Sequence, residues 1–109
     1  MGLNAFNACG NTVAFTASTA APAAVQASSS TLGGNQYRAV NAGTVTVFVG
    51  VGTTAALANT NATVVSTTGA SIPLLSGATE ILTFPPNAFF TGITSSGSAV
   101  VYITPGDGL

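Results

Sequence analysis

Apolar and polar residues alternate with a period of two over much of the chain, the mark of half-buried β-strands. The clearest stretch is Thr44 to Val51, where Val45, Val47, Val49 and Val51 would share one face and Thr44, Thr46, Phe48 and Gly50 the other. A row of β-branched residues on one side of a pleated ribbon packs well against a second layer. Ser98 to Thr104 repeats the pattern, with Ala99, Val101 and Ile103 set against Ser98, Val100, Tyr102 and Thr104. Ala78 to Phe84 and Phe89 to Thr94 are runs of similar kind. Pro85-Pro86-Asn87, Ser95-Ser96-Gly97 and Pro105-Gly106 punctuate these runs. That spacing predicts successive antiparallel hairpins, a closing meander from Ala78 to Thr104. A meander leaves one apolar face uncovered, so the rest of the chain is expected to supply a second sheet.

Upstream, Asn35 to Asn41 reads as a strand, and Asn41-Ala42-Gly43 as the turn that joins it to Thr44–Val51 in a hairpin. Gly52 to Asn61 reads as a loop or a single helical turn around Ala55–Ala58. Ala62 to Thr67 reads as a short strand, and Ser71 to Leu75 as an edge strand, because Pro73 has no N–H to give a ladder. The fold class is therefore all-β: an antiparallel β-sandwich or jelly roll of about seven to eight short strands. Residues 1–34 stand apart from the sandwich domain expected over 35–109. They are rich in Ala, Ser and Thr, with a first strand at Thr12–Ala17 that turns Val13 and Phe15 inward. By composition this is an extended N-terminal arm. Two placements are open for it: along a neighbouring subunit or surface, or folded back as an edge strand of its own sandwich.

Charge changes the picture. The chain has 109 residues, one domain's worth, and its only side chains of charged type are Arg38, Glu80 and Asp107, with no Lys and no His. A typical domain is about one-quarter charged; here the fraction is 3%. One Arg cannot neutralise a phosphate backbone, so nucleic acid is excluded as a partner. An anionic membrane surface is excluded on the same ground. No apolar run reaches the ~18 residues of a spanning helix. No basic residue precedes Arg38 and the start lacks a myristoylation signal, so synthesis in the cytoplasm without a secretory leader is expected. A surface that cannot repel its copies by charge suits a component of an assembly.

Catalytic chemistry finds little to work with. Without His or Lys, a Ser-His-Asp or Cys-His arrangement cannot form within the chain. Cys9 has no basic neighbour in sequence to lower its pKa, and reads as a small buried apolar side chain. Glu80 and Asp107 are the sole carboxylates, and Asp107 falls in the turn-like Pro105-Gly106-Asp107-Gly108. No catalytic residue, cofactor or metal site is expected. The residues singled out are candidates for contact instead. Arg38 and Glu80 both fall mid-strand, where a charge calls for a partner. They would meet across adjacent strands or each face another chain, and the competing reading is two unrelated solvated charges. Phe89-Phe90 sends one ring inward and one outward. Tyr37, Phe90 and Tyr102 are the aromatic interface candidates, with burial under loops as the competing reading. Asn61-Ala62-Thr63 matches a glycosylation sequon but is expected to be coincidental without a secretion signal.

Gln36 to Gly50, Ile72 to Leu82 and Gly97 to Gly108 together resemble the small all-β virion proteins of tailed bacteriophages. The shared pattern is an Arg, a valine-rich strand, Ile-Pro-Leu followed by Gly and Glu, and a closing strand ending Thr-Pro-Gly-acid-Gly. The resemblance extends over the chain beyond the Ala/Ser-rich first third and carries no catalytic residues. It implies a head-decoration, or cement, protein on the outer capsid surface of the virion. Its partners would be the major capsid protein and its own copies, as homotrimers in the first instance and dimers in the second. The rival reading is a receptor- or glycan-binding β-module of a fibre, vertex or tail.

Overall fold

A computed structural model describes residues 7–8, 10–27, 36–65 and 68–107. Among these, nine strands and one helix follow in order: β1 (Asn7–Ala8), β2 (Val13–Ala17), β3 (Val25–Gln26), β4 (Gln36–Asn41), β5 (Val47–Gly52), α1 (Ala55–Asn61), β6 (Ile72–Leu74), β7 (Thr79–Thr83), β8 (Phe89–Ile93) and β9 (Ala99–Asp107). The antiparallel pairs β2–β9, β3–β8, β4–β7 and β5–β6 are those of one long hairpin whose tip lies between β5 and β6. Rolling that hairpin sets β9 beside β4 and β8 beside β5. The result is two sheets, β2-β9-β4-β7 and β3-β8-β5-β6, with β1 continuing the β2 side of β9. That order is a jelly roll, one of the two architectures the strand pattern predicts.

The closing meander does not form. β7, β8 and β9 are consecutive yet lie in alternating sheets, and none pairs with the next. The β4–β5 hairpin expected at Asn41–Gly43 is likewise absent, because the chain there crosses between sheets. Two buried side chains hold these crossings. Asn41, fully buried, donates through Nδ2 to the carbonyls of Val45 and Leu74 (both 2.9 Å) and accepts through Oδ1 from the Gly43 N–H. The Tyr37 hydroxyl donates to the Pro85 carbonyl at 2.6 Å and accepts the Ala88 N–H. A turn signal marks where the chain reverses, but side-chain bonds of this kind select the sheet to which it returns.

The core lies between the sheets. Phe15, Tyr37, Val101 and Ile103 from one face Val47, Val49, Leu74 and Phe90 from the other. At one end Tyr37, Phe84 and Phe90 form an aromatic cluster, with the Tyr37 and Phe90 rings 4.9 Å apart. Burying one such side chain stabilises the fold by about 1.5–3 kcal/mol. The described part of the expected arm belongs to this core. β2 pairs along β9 from Val13↔Ile103 to Ala17↔Ala99, β3 pairs with β8, and Phe15, Ala17 and Ala27 are buried. Residues 10–27 are thus part of the sandwich itself, with Val13 and Phe15 inward as expected and β2 at a sheet edge. The strand expected at Ala62–Thr67 is absent over 62–65, and 66–67 lie outside the described residues.

β9 runs through Pro105, where the sequence pattern ends it. On its β4 side, Ala42 N bonds Val100 O, so even-numbered β9 residues bond β4 and odd-numbered ones bond the β1–β2 side. Pro105 therefore lacks an N–H only toward the break between β1 and β2, where no described ladder pair needs it. β6 is the edge strand that Pro73 implies.

Candidate functional site: the outer faces of the sandwich

The two sheets turn very different outer faces to their surroundings. The β3-β8-β5-β6 sheet carries α1, which Thr54 caps by accepting the Leu57 N–H at 3.1 Å and which Ala and Leu propagate. Gly50 of β5 makes this possible: a Cβ there would strike the Ala58 carbonyl and the Ala62 nitrogen. The segment between β2 and β3 seals the cover. The Pro22 carbonyl accepts from Asn59 Nδ2 and from Thr91 Oγ1, each at 2.9 Å, and Thr91 is fully buried. Asn61, the sequon residue, donates through Nδ2 to the Val51 carbonyl at 2.8 Å, so its amide ties α1 to the sheet.

The outer face of the β2-β9-β4-β7 sheet carries no described element. Across it run two rows, Ala14–Tyr102–Val40–Thr79 and Thr104–Arg38–Ile81. Thr12 extends the second row, its hydroxyl 2.7 Å from that of Thr104. Tyr102 is 42% and Ile81 48% exposed, while Val40 and Val100 are half-buried. Among the described residues the face presents Thr, Val, Ile and one Tyr, and Arg38 is the charge upon it.

The candidate residues divide on this geometry. Arg38 pairs with Ile81 and points outward, whereas Glu80 pairs with Ala39, whose side chain is in the core. They occupy adjacent strands, as one reading expected, but opposite faces, so the register-fixing cross-strand pair does not form. Glu80 reaches water because β7 is an edge strand, and both charges are exposed. Tyr37 and Phe90, expected as interface aromatics, are wholly buried. Each lies opposite a core position, Tyr37 against Leu82 and Phe90 against Val51. Of the Phe pair it is Phe89 that is partly exposed. Tyr102 is on the surface as expected. Ile81 was missed, although the alternation of Thr79–Thr83 contains the signal: with Leu82 inward, Ile81 must face out.

Chemically the face can bury apolar area and exchange hydrogen bonds through threonines. Among the described residues no three of His, Cys, Asp and Glu come together as metal ligands. Glu80 and Asp107 are on strands separated by β4; Asp107 closes β9 rather than a turn, and its side chain, like Cys9, lies outside the described part. No described helix is long and apolar enough to cross a membrane. Comparison of the chain with protein-family models, with curated proteins and with solved structures found no match.

Proposed function

We propose that the chain is a non-enzymatic structural protein of a phage particle that decorates and stabilises the capsid by bridging major capsid subunits. The observation that carries this reading is the bare outer face of the β2-β9-β4-β7 sheet. Among the described residues its exposed large side chains are Tyr102 and Ile81, and its one charge is Arg38. Such a face binds by shape, apolar burial and hydroxyl contacts, the terms that dominate the centre of a stable interface. The resemblance of three strand-and-turn segments to phage virion proteins supplies the particle. The jelly roll agrees with this reading, but viral capsid proteins and lectins share the architecture, so the fold does not choose between them.

Attachment through this face involves almost no ion pairing. The Debye length falls from ~10 Å at 0.1 M salt to ~3 Å at 1 M, and a contact without charges does not respond. Particles carrying the protein should keep it across that range, in many copies spread over the shell when imaged. Release at moderate salt, or placement in a few copies at a vertex, would refute decoration. A second reading, glycan binding at a fibre or vertex, rests on Tyr102, an exposed ring with threonine neighbours. Few copies per particle, with loss of receptor binding in Tyr102→Ala, would select it.

A further inference from the structure

We infer that β7 is a self-recognition edge, and that two copies of this chain join through it about a two-fold axis at Ile81, fusing their β2-β9-β4-β7 sheets into one. This inference does not depend on the virion reading. The hydrogen-bond phase of the β4–β7 ladder fixes which groups of β7 face outward. Asn41 N donates to Ala78 O and Gly77 N donates to Asn41 O, each at 3.0 Å. Gly77 has φ +74°, so Gly77 and Ala78 together oppose Asn41 in a β-bulge of the glycine type. Asn41 is thereby a hydrogen-bonded position. The alternation of an antiparallel ladder then makes Ala39↔Glu80 and Tyr37↔Leu82 hydrogen-bonded pairs, and Val40↔Thr79, Arg38↔Ile81 and Gln36↔Thr83 non-bonded ones. The backbone N–H and C=O groups of Thr79, Ile81 and Thr83 consequently point away from β4, out of an edge that no described strand occupies. They form a template for another strand.

The side chains say which strand. Thr79, Ile81 and Thr83 share the outer face, and Thr-x-Ile-x-Thr reads the same in both directions. An antiparallel second copy centred on Ile81 sets Thr79 against the partner's Thr83 and Ile81 against the partner's Ile81, both favourable cross-strand pairs. On the other face Glu80 meets the partner's Leu82, so no like charges lie directly opposite. The two-fold passes through a pair whose N–H and C=O groups complement each other, which satisfies every outward group of β7. Ile81, 48% exposed in the single chain, becomes the buried centre of the contact.

The other edges lack these features. β6 carries Pro73, and β3 is two residues long. β2 turns only Ala14 and Thr16 outward before Ser18 crosses to the second sheet, where Thr94 N bonds its carbonyl. β7 has no Lys, no Pro and no bulge within its span; its one blunting device is Glu80 on the inner side of the strand, and the two-fold pairing sets that charge opposite the partner's Leu82 rather than another carboxylate. It is bounded instead by the Gly77–Ala78 bulge and by Pro85-Pro86, which limit the pairing to one strand's length and oppose open-ended stacking.

The test is the mass of the purified full chain by sedimentation over a concentration series into the millimolar range, with two variants. Ile81→Pro deletes an N–H that points away from β4, so it should keep the circular dichroism of the parent while converting dimer to monomer, its melting point losing only the concentration-dependent part that association supplies. Ile81→Glu leaves the backbone intact and sets two carboxylates against each other at the axis; it too should be folded and monomeric. A parent that is monomeric throughout, or a trimer, overturns the inference. So does a dimer that persists in folded Ile81→Glu, since its contact would lie elsewhere. Failure of capsid attachment with the dimer intact would count against decoration and leave this edge untouched.

Discussion

Among the described residues one sheet of the sandwich is roofed and the other is bare, and the difference traces to a few small residues. On β5, Gly50 and Gly52 let α1 come down onto the backbone, where a Cβ at either position would meet the helix. Asn59, Asn61 and Thr91 then spend their polar groups on backbone carbonyls beneath the roof. The corresponding outer positions of β4 and β9 are Arg38, Val40, Val100, Tyr102 and Thr104, each with a Cβ and none with a described element above it. A face that admits a helix so closely is committed to the chain's own stability. A face of branched and aromatic residues left open is available to something else.

The strongest way to break this comparison is to lift the roof. Gly50→Val drives a branched side chain into the Ala58 carbonyl and should destabilise the fold by about 3 kcal/mol, read as a lowered urea midpoint. A change below half of that would mean that α1 is loosely seated. Next in size are the ties beneath it. Thr91→Val and Asn59→Ala each remove one donor from the Pro22 carbonyl, at about 1 kcal/mol apiece. The double variant strips the carbonyl of both its donors and should cost more than the sum. Strict additivity would show that Pro22 finds water when released. Smallest is the bare face, where Tyr102→Thr and Arg38→Ala should shift the stability of the isolated monomer by no more than about 0.5 kcal/mol. A larger loss would reveal a cover over that sheet and remove the basis for reading it as a contact surface.

The absence of an Arg38–Glu80 pair follows the same contrast. A charge within a strand is costly only where it is buried. Arg38 stands on the open face and Glu80 at an open edge, so each is hydrated without the other. The mid-strand position of a charge told less than the exposure of its strand.

Much of this molecule is local and therefore legible along the chain. Period-two alternation located β2, β4, β5, β7, β8 and β9 and set Val47 with Val49, and Val101 with Ile103, on common faces, because a pleated strand sends successive side chains to opposite faces whatever lies beyond. Pro73 marked an edge because a missing N–H is a covalent fact. Partnership was decided elsewhere. Whether β7 returned beside β8 or beside β4, whether Thr12–Ala17 joined the sandwich, and whether Tyr37 was wet or buried all depend on contacts between residues remote in sequence. Asn41 reaching Leu74, Tyr37 reaching Pro85 and Thr91 reaching Pro22 are such contacts. Alternation assigns a residue to one side of its strand, but only the packed sheets determine which side is the interior and which strand lies alongside.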